Sequence, residues 1–284
     1  MGKDILKPLD IESNPLISAG AGAVLLCAFN APFAGIIFVI EEMHDHFRFN
    51  FYSVVAIMIS AGSSDFVFRT LVGSTSVIKM AVFSSPNILE LLLFSFVEYL
   101  YNKLLILSLD FFQVSFKIPI IFVGLVIATI GIFFLEMIGG GYNTITEVLD
   151  LSFSLCFLLP LFIIRMLLSI YSYSTGVSGG IFAPMLTLGV ILGMFFGIIM
   201  QHFFPDLISH PIIFAVAGMA GIFASTVRVP LTGLVLAVEM TSNFKLILPL
   251  IVSTVIASVF TALFGNKPIY TTLLKRHLVN TRSE

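Results

Sequence analysis

Gly179-Gly180-Ile181-Phe182-Ala183-Pro184 opens an apolar run that continues to about Phe204. Two glycines ahead of such a run predict a helix start, where backbone N–H groups are free and the helix carries a partial positive charge. Water normally satisfies those donors. Inside a bilayer an unpaired cluster of donors is costly unless something binds it. The guest that suits it is an anion held by main-chain dipoles, with no lysine or arginine needed. The stretch therefore predicts a membrane protein that handles anions through its backbone.

Composition agrees. The 284 residues are 58% hydrophobic and 11% charged, with a mean hydropathy of +1.09. A soluble domain carries about 25% charged residues, so the chain reads as a polytopic, all-α membrane protein. A net charge of −2 argues against a nucleic-acid partner. Cys27 and Cys156 lie in apolar runs and read as core thiols, not a disulfide or a metal pair. The first sixteen residues are polar, with Pro8 and Pro15, and do not read as a cleavable signal peptide. The basic tail Lys267–Glu284 faces the cytoplasm by the positive-inside rule.

Apolar segments cover roughly 16–40, 51–72, 88–109, 118–138, 153–173, 181–204, 212–227, 229–240 and 246–264. Pro32 to Glu41 and Pro230 to Glu239 are each ten residues, or about 15 Å as helix, against a hydrocarbon core of about 30 Å. Such segments predict half-spanning helices that end inside the protein, a mark of transporters and channels. Between them Gly139-Gly140-Gly141 breaks any helix and permits an unusual backbone path.

The two short segments are related. Ala19–Glu42 aligns with Ala217–Met240 at an offset of 198. Ala19 meets Ala217, Gly20 meets Gly218, Pro32 meets Pro230, Gly35 meets Gly233 and Glu41 meets Glu239. Proline, glycine and glutamate in register favour a duplication over chance. The alignment leaves the sense of the copies open. Because repeats facing each other across the midplane are a recurring transporter plan, inversion is the expectation. The chain is expected to be one domain, 1–284, with 1–80 closing a first repeat and 81–284 forming a second repeat plus a short tail helix.

Four motifs carry a resemblance. They are Phe29-Asn30-Ala31-Pro32-Phe33-Ala34-Gly35 followed by Ile40-Glu41-Glu42-Met43, the Gly179–Pro184 stretch, Val229-Pro230-Leu231-Thr232-Gly233 with Val238-Glu239-Met240-Thr241, and Lys267-Pro268-Ile269-Tyr270. Together, in this order, they resemble the CLC chloride channels and chloride/proton antiporters from Ala19 onward. The resemblance implies a bundle of tilted, partly half-spanning helices that moves chloride as a voltage-gated channel or a proton antiporter. It implies no cofactor beyond chloride as substrate, a homodimer in the cell's inner (plasma) membrane, and a contact through Pro32–Glu42, the next helix and Pro230–Phe264. The family's earlier G-S-G-I-P-like and G-R-E-G-P-like loops do not occur in the sequence, so an N-terminally incomplete domain is expected.

Site residues follow. Gly180, Ile181 and Phe182 are the expected anion contacts, the last two through backbone N–H groups. On the residues alone, a helix-packing notch fits the glycines as well. Tyr270 reads by itself as an interfacial tyrosine; the resemblance implies that its hydroxyl donates to the anion. Glu42 reads by itself as a solvated helix-end carboxylate beside His44, Asp45, His46 and Arg48; the resemblance implies a proton-transfer group. Glu41 and Glu239 read as structural, each ending a short helix. Arg165, inside an apolar run, is expected to snorkel, pair with a carboxylate or lend positive potential to the anion route. Arg228 is expected in a loop. No metal site is expected, since His44 and His46 do not share a helix face. Two rival readings remain. One is an intramembrane serine protease using Ser178 of Gly176-Val177-Ser178-Gly179, although no histidine lies within an apolar run. The other is a non-transporting remnant of the family.

Overall fold

A computed structural model describes residues 13–43, 51–73, 78, 94–100, 103–104, 107, 120–175, 180–205 and 210–272. Ser178, Gly179, His44, His46, most of the 88–109 run and the tail beyond Thr272 lie outside them. The described residues form α1 (Ser13–Phe29), α2 (Pro32–Met43), α3 (Phe51–Leu71), α4 (Ile120–Phe133), α5 (Tyr142–Leu149), α6 (Leu155–Ser174), α7 (Phe182–Phe203), α8 (Ile212–Val227), α9 (Pro230–Thr241) and α10 (Ile247–Leu263). Four helices, Phe51–Leu71, Leu155–Tyr173, Phe182–Phe203 and Phe244–Leu263, are long and apolar enough to cross a membrane. The short helices start at the two prolines, where a missing N–H costs nothing and φ is preset. The chain divides into two compact units, Met1–Ala81 with Leu231–Phe244, and Val82–Pro230 with Lys245–Glu284.

In the first unit α2 and α9, one from each copy of the repeat, are joined by an exchange of carboxylates. Glu239 accepts from the N–H groups of Phe33 (3.0 Å) and Ala34 (2.8 Å) at the start of α2. Glu41 accepts from Leu231 N–H (3.1 Å), Thr232 N–H (2.8 Å) and the Thr232 hydroxyl (2.8 Å) at the start of α9. Every partner obeys the offset of 198 that relates the copies. The end of each helix thus meets the beginning of the other, so the two run antiparallel and this part of the repeat is inverted. Each carboxylate satisfies donors that lipid would leave unpaired, at the positive end of a helix dipole. Backbone angles keep the same register. Asn30 before α2 and Arg228 before α9, again 198 apart, both take the left-handed conformation, φ 51° and 76°. Within the same unit α1 approaches α2 where Gly22 faces Gly35; a Cβ on Gly35 would come within 2.6 Å of the Gly22 carbonyl oxygen.

The second unit centres on α8, in which every residue from Ile213 to Val227 is buried. Helix α7 packs along it through Gly189, Gly193 and Gly197. A Cβ at these positions would overlap the Gly218 carbonyl, the Phe214 carbonyl and Pro211 respectively. The glycines recur every four residues on α7 while their partners run backward along α8, which is antiparallel small-residue packing. Gly139 and Gly141 take φ of 68° and 79°, so the triple glycine makes the turn that an L side chain resists. Outward surfaces are apolar: on α4, Ile121 is 84% exposed and Ile132 79%. Cys27 and Cys156 are exposed, which corrects their reading as core thiols; an apolar run in lipid has an outside as apolar as its inside.

Replacing Glu41 by alanine orphans two N–H groups and a hydroxyl, and replacing Glu239 orphans two N–H groups. Each orphan costs on the order of 1–3 kcal/mol away from water. Thermal unfolding in detergent should show both variants less stable than the parent, with Glu41→Ala the worse.

Candidate functional site

The start of α7 lies in the second unit. Its N-cap is Ile181, with φ −91° and ψ −23°, and the Ile181 side chain makes no capping hydrogen bond. A helix start normally carries Ser, Thr, Asp or Asn there, whose side chain takes up first-turn donors. Ile181 has no such group and is 4% exposed. Its carbonyl accepts from Met185 N–H at 3.2 Å, so the helical ladder begins with this residue. Pro184, third in the helix, brings no N–H. The N–H groups of Ile181, Phe182 and Ala183 therefore lead the helix. A Cβ on Gly180 would meet nothing within 4 Å, so Gly180 is open space in front of them and not a packing notch.

Aromatic rings gather beside this start. The Phe182 ring lies 5.1 Å from that of Phe223 and 6.0 Å from that of Tyr270. Tyr270 sits in a short helical turn, held where Thr272 donates from its N–H (3.1 Å) and hydroxyl (3.0 Å) to the Pro268 carbonyl. Arg228, in the break after α8, donates to the Asn266 carbonyl and so ties that break to the segment carrying Tyr270. Arg228 is a half-buried brace, and burial pulls its guanidinium below its ordinary pKa. Tyr173 was not among the sequence candidates. From α6 its hydroxyl donates to the Gly180 carbonyl at 3.0 Å, fixing the approach to α7 from behind.

Arg165 departs from two of its expected fates. It is 4% exposed, and its hydrogen-bond partners are neutral: the carbonyls of Glu136, Ile138 (3.4 Å) and Gly139 (3.0 Å) and the Thr144 hydroxyl (3.5 Å). It neither snorkels nor draws on a carboxylate for these bonds. The triple-glycine turn it holds is tied to α7 as well, since the Thr187 hydroxyl donates to the Gly140 carbonyl at 2.8 Å. A guanidinium bonded to carbonyls keeps its full charge near the first turns of α7, which fits its remaining expectation, positive potential.

Glu42 is half-buried in the last turn of α2, within the first unit. Successive helical residues point roughly 100° apart, so the cap made by Glu41 leaves the Glu42 carboxyl on another face. No group of three or more His, Cys, Asp or Glu that could hold a metal occurs among the described residues.

Fold and site together define a multi-pass membrane protein built on broken helices. Residues 2–262 match the family described as voltage gated chloride channel. The chain belongs to that family, CLC, whose relatives below are transporters and not enzymes, which sets the Ser178 protease reading aside. It is 40% identical over 281 residues to the H(+)/Cl(−) exchange transporter ClcA of Vibrio cholerae, covering 94% of this chain and 60% of that one. It is 38% identical to the protein of the same name in Vibrio vulnificus, covering 99% and 64%. Among solved structures, a slow cyanobacterial Cl−/H+ antiporter superposes with a TM-score of 0.83 at 34% identity, over 93% of this chain and 65% of that chain. A eukaryotic CLC transporter, at 20% identity and a TM-score of 0.74, shows the same fold. The chain thus spans somewhat under two thirds of the length of the two Vibrio relatives and of the cyanobacterial antiporter.

Replacing Arg165 by methionine orphans carbonyls around the triple glycine, each at a cost on the order of 1–3 kcal/mol. Lysine retains the charge and some of the bonds. Thermal unfolding in detergent should rank the arginine protein above Arg165→Lys, and Arg165→Lys above Arg165→Met.

Proposed function

We propose that the chain moves chloride across a membrane in exchange for protons, with Ile181 and Phe182 N–H groups and the Tyr270 hydroxyl as anion contacts and Glu42 as the proton-transfer group. The observation that carries the reading is the pairing of the Phe182 and Tyr270 rings at 6.0 Å. It sets a ring carrying a neutral hydroxyl donor beside a helix start whose N-cap, Ile181, offers no side-chain acceptor. Neutral donors suit transport, because an ion must leave as readily as it enters. The Vibrio relatives named as H(+)/Cl(−) exchange transporters support the coupling.

The same reading includes a homodimer in the cell's inner (plasma) membrane. Two surfaces support a copy-to-copy contact. In the first unit Phe33 and Leu231, at the starts of the paired short helices, are 66% and 59% exposed. In the second, α10 presents Leu248, Ile251, Val255 and Val259 outward along one stripe.

The test is chloride efflux from liposomes holding the purified chain, with proton movement followed at the same time. Efflux should be matched by proton uptake in the opposite sense, and Glu42→Gln should abolish the proton movement while chloride still flows. Efflux indifferent to an imposed pH gradient removes the exchange, and no efflux above protein-free vesicles leaves the remnant reading. The main-chain contact has its own test. Phe182→Pro deletes one N–H, and Phe182→Ala controls for the ring; because proline disfavours the α conformation that Ile181 holds before it, the comparison is made between variants with matching circular dichroism and thermal unfolding. Losing one donor to the anion, about 1.4 kcal/mol, weakens chloride binding roughly tenfold. Titration calorimetry should find that loss in Phe182→Pro relative to Phe182→Ala.

A further inference from the structure

Glu98 has no part in the site above. It lies in the helical stretch 94–100 of the second unit and is 0% exposed. Its carboxyl oxygens are each 3.4 Å from the Ser253 hydroxyl of α10, and that hydroxyl also lies 3.4 Å from the Ala217 carbonyl of α8. Ser95 donates to the Ser253 carbonyl at 3.4 Å, closing the cluster. The place is shaped for the carboxyl: a Cβ on Gly221 of α8 would overlap both Glu98 oxygens, so only glycine there admits them. One turn earlier Phe94 fills the matching gap over Gly218, against Phe196 and Phe214.

Among the described residues no countercharge is built into the elements around it. Neither α8 nor α10 contains a single titratable residue, and in α7 His202 is the only one. On the Glu98 stretch itself the described titratable neighbours are Tyr99 and Lys103, and the Lys103 ammonium lies over the Tyr99 ring, 5.9 Å from its centre. An ionised carboxylate walled in by apolar helices and met by one hydroxyl is strongly disfavoured; the group takes up a proton instead. A carboxylic acid fits the geometry well. Its O–H donates to Ser253 Oγ, and Ser253 in turn donates to the Ala217 carbonyl, so donors and acceptors balance across three helices.

We propose that Glu98 with Ser253 is a proton-binding site separate from Glu42, loaded while the 94–100 stretch is packed on α8 and α10, and emptied only when that packing opens. An ionisable group deep in a membrane protein is costly to keep, and this one makes helix contact and proton occupancy a single equilibrium. The proposal is independent of the anion reading, because its readout needs no transport.

The experiment is infrared spectroscopy of the full chain in liposomes, with hydrogen–deuterium exchange alongside. At neutral pH the parent should show a protonated-carboxyl C=O band that Glu98→Gln loses and Glu42→Gln keeps. Ser253→Ala should shift that band to higher frequency, since its O–H loses its acceptor; this variant carries the test if Glu98→Gln does not fold. Raising the pH should bleach the band and, after division by the intrinsic base-catalysed exchange rate, lower amide protection in 94–100 and around Ser253 in the parent, and leave protection in Glu98→Gln unchanged. Equal neutral-pH spectra for the parent and Glu98→Gln, an unmoved band in Ser253→Ala, or the same pH-driven loss of protection in Glu98→Gln would each overturn the proposal.

Discussion

A helix that stops inside a membrane must find partners for its end groups, and the known features of this structure follow from how each end is treated. Water is absent, so the first-turn N–H groups of a half-spanning helix need an acceptor supplied by the protein or by cargo. At α2 and α9 the protein supplies it. Glu239 and Glu41 each cross to the other helix, and one residue type at one repeat position serves both ends. At α7 the N-cap is an isoleucine, whose side chain makes no capping hydrogen bond. The contrast separates helix starts that carboxylates close from one whose N-cap side chain offers no acceptor.

The carboxylate exchange also explains how a duplicated sequence makes one structure. Either copy alone would end with an unfilled helix start at one place and an unpaired carboxylate at another. Inversion brings the two deficits together twice, once at each end of the antiparallel pair. A parallel arrangement would set glutamate beside glutamate, where like charges repel. The sense of the repeat, left open by the alignment, is therefore fixed by charge: only the antiparallel pair matches acceptors to donors.

Much of this was legible in the residues because the signals were local. Pro32 and Pro230 mark helix starts wherever they fall, and long apolar runs leave few alternatives, so α3, α6, α7, α8 and α10 lie within a few residues of the segments read from composition. The candidate anion residues came from the Gly-Gly-Ile-Phe pattern, and the structure adds that the Tyr270 ring lies beside that of Phe182. What escaped depends on tertiary neighbours. Nothing near Arg165 in sequence reveals that its acceptors are carbonyls 26 to 29 residues earlier. Tyr173 could have been suspected only from its seven-residue distance to Gly180. Hydropathy could not tell Cys27 and Cys156 from core residues, since both faces of a lipid-facing helix are apolar. The Gly189-Gly193-Gly197 spacing was visible, and is the signal that would have predicted the α7–α8 contact.

The placement of charge completes the argument. Arginine 165 is bonded to carbonyls, which leave its positive charge whole, whereas a carboxylate partner would have cancelled it. Its turn is tied to α7 through Thr187 and Gly140, so the charge is fixed relative to that helix without standing among the leading N–H groups. A cation placed there directly would hold an anion too firmly for transport; an acidic N-cap would both consume the donors and repel the ion. Isoleucine at 181, glycine at 180 and a phenol at 270 avoid both faults. In the proposed reading they make a site of neutral dipoles, and the buried arginine, whose turn is tied to the same helix, adds the attraction that dipoles alone lack.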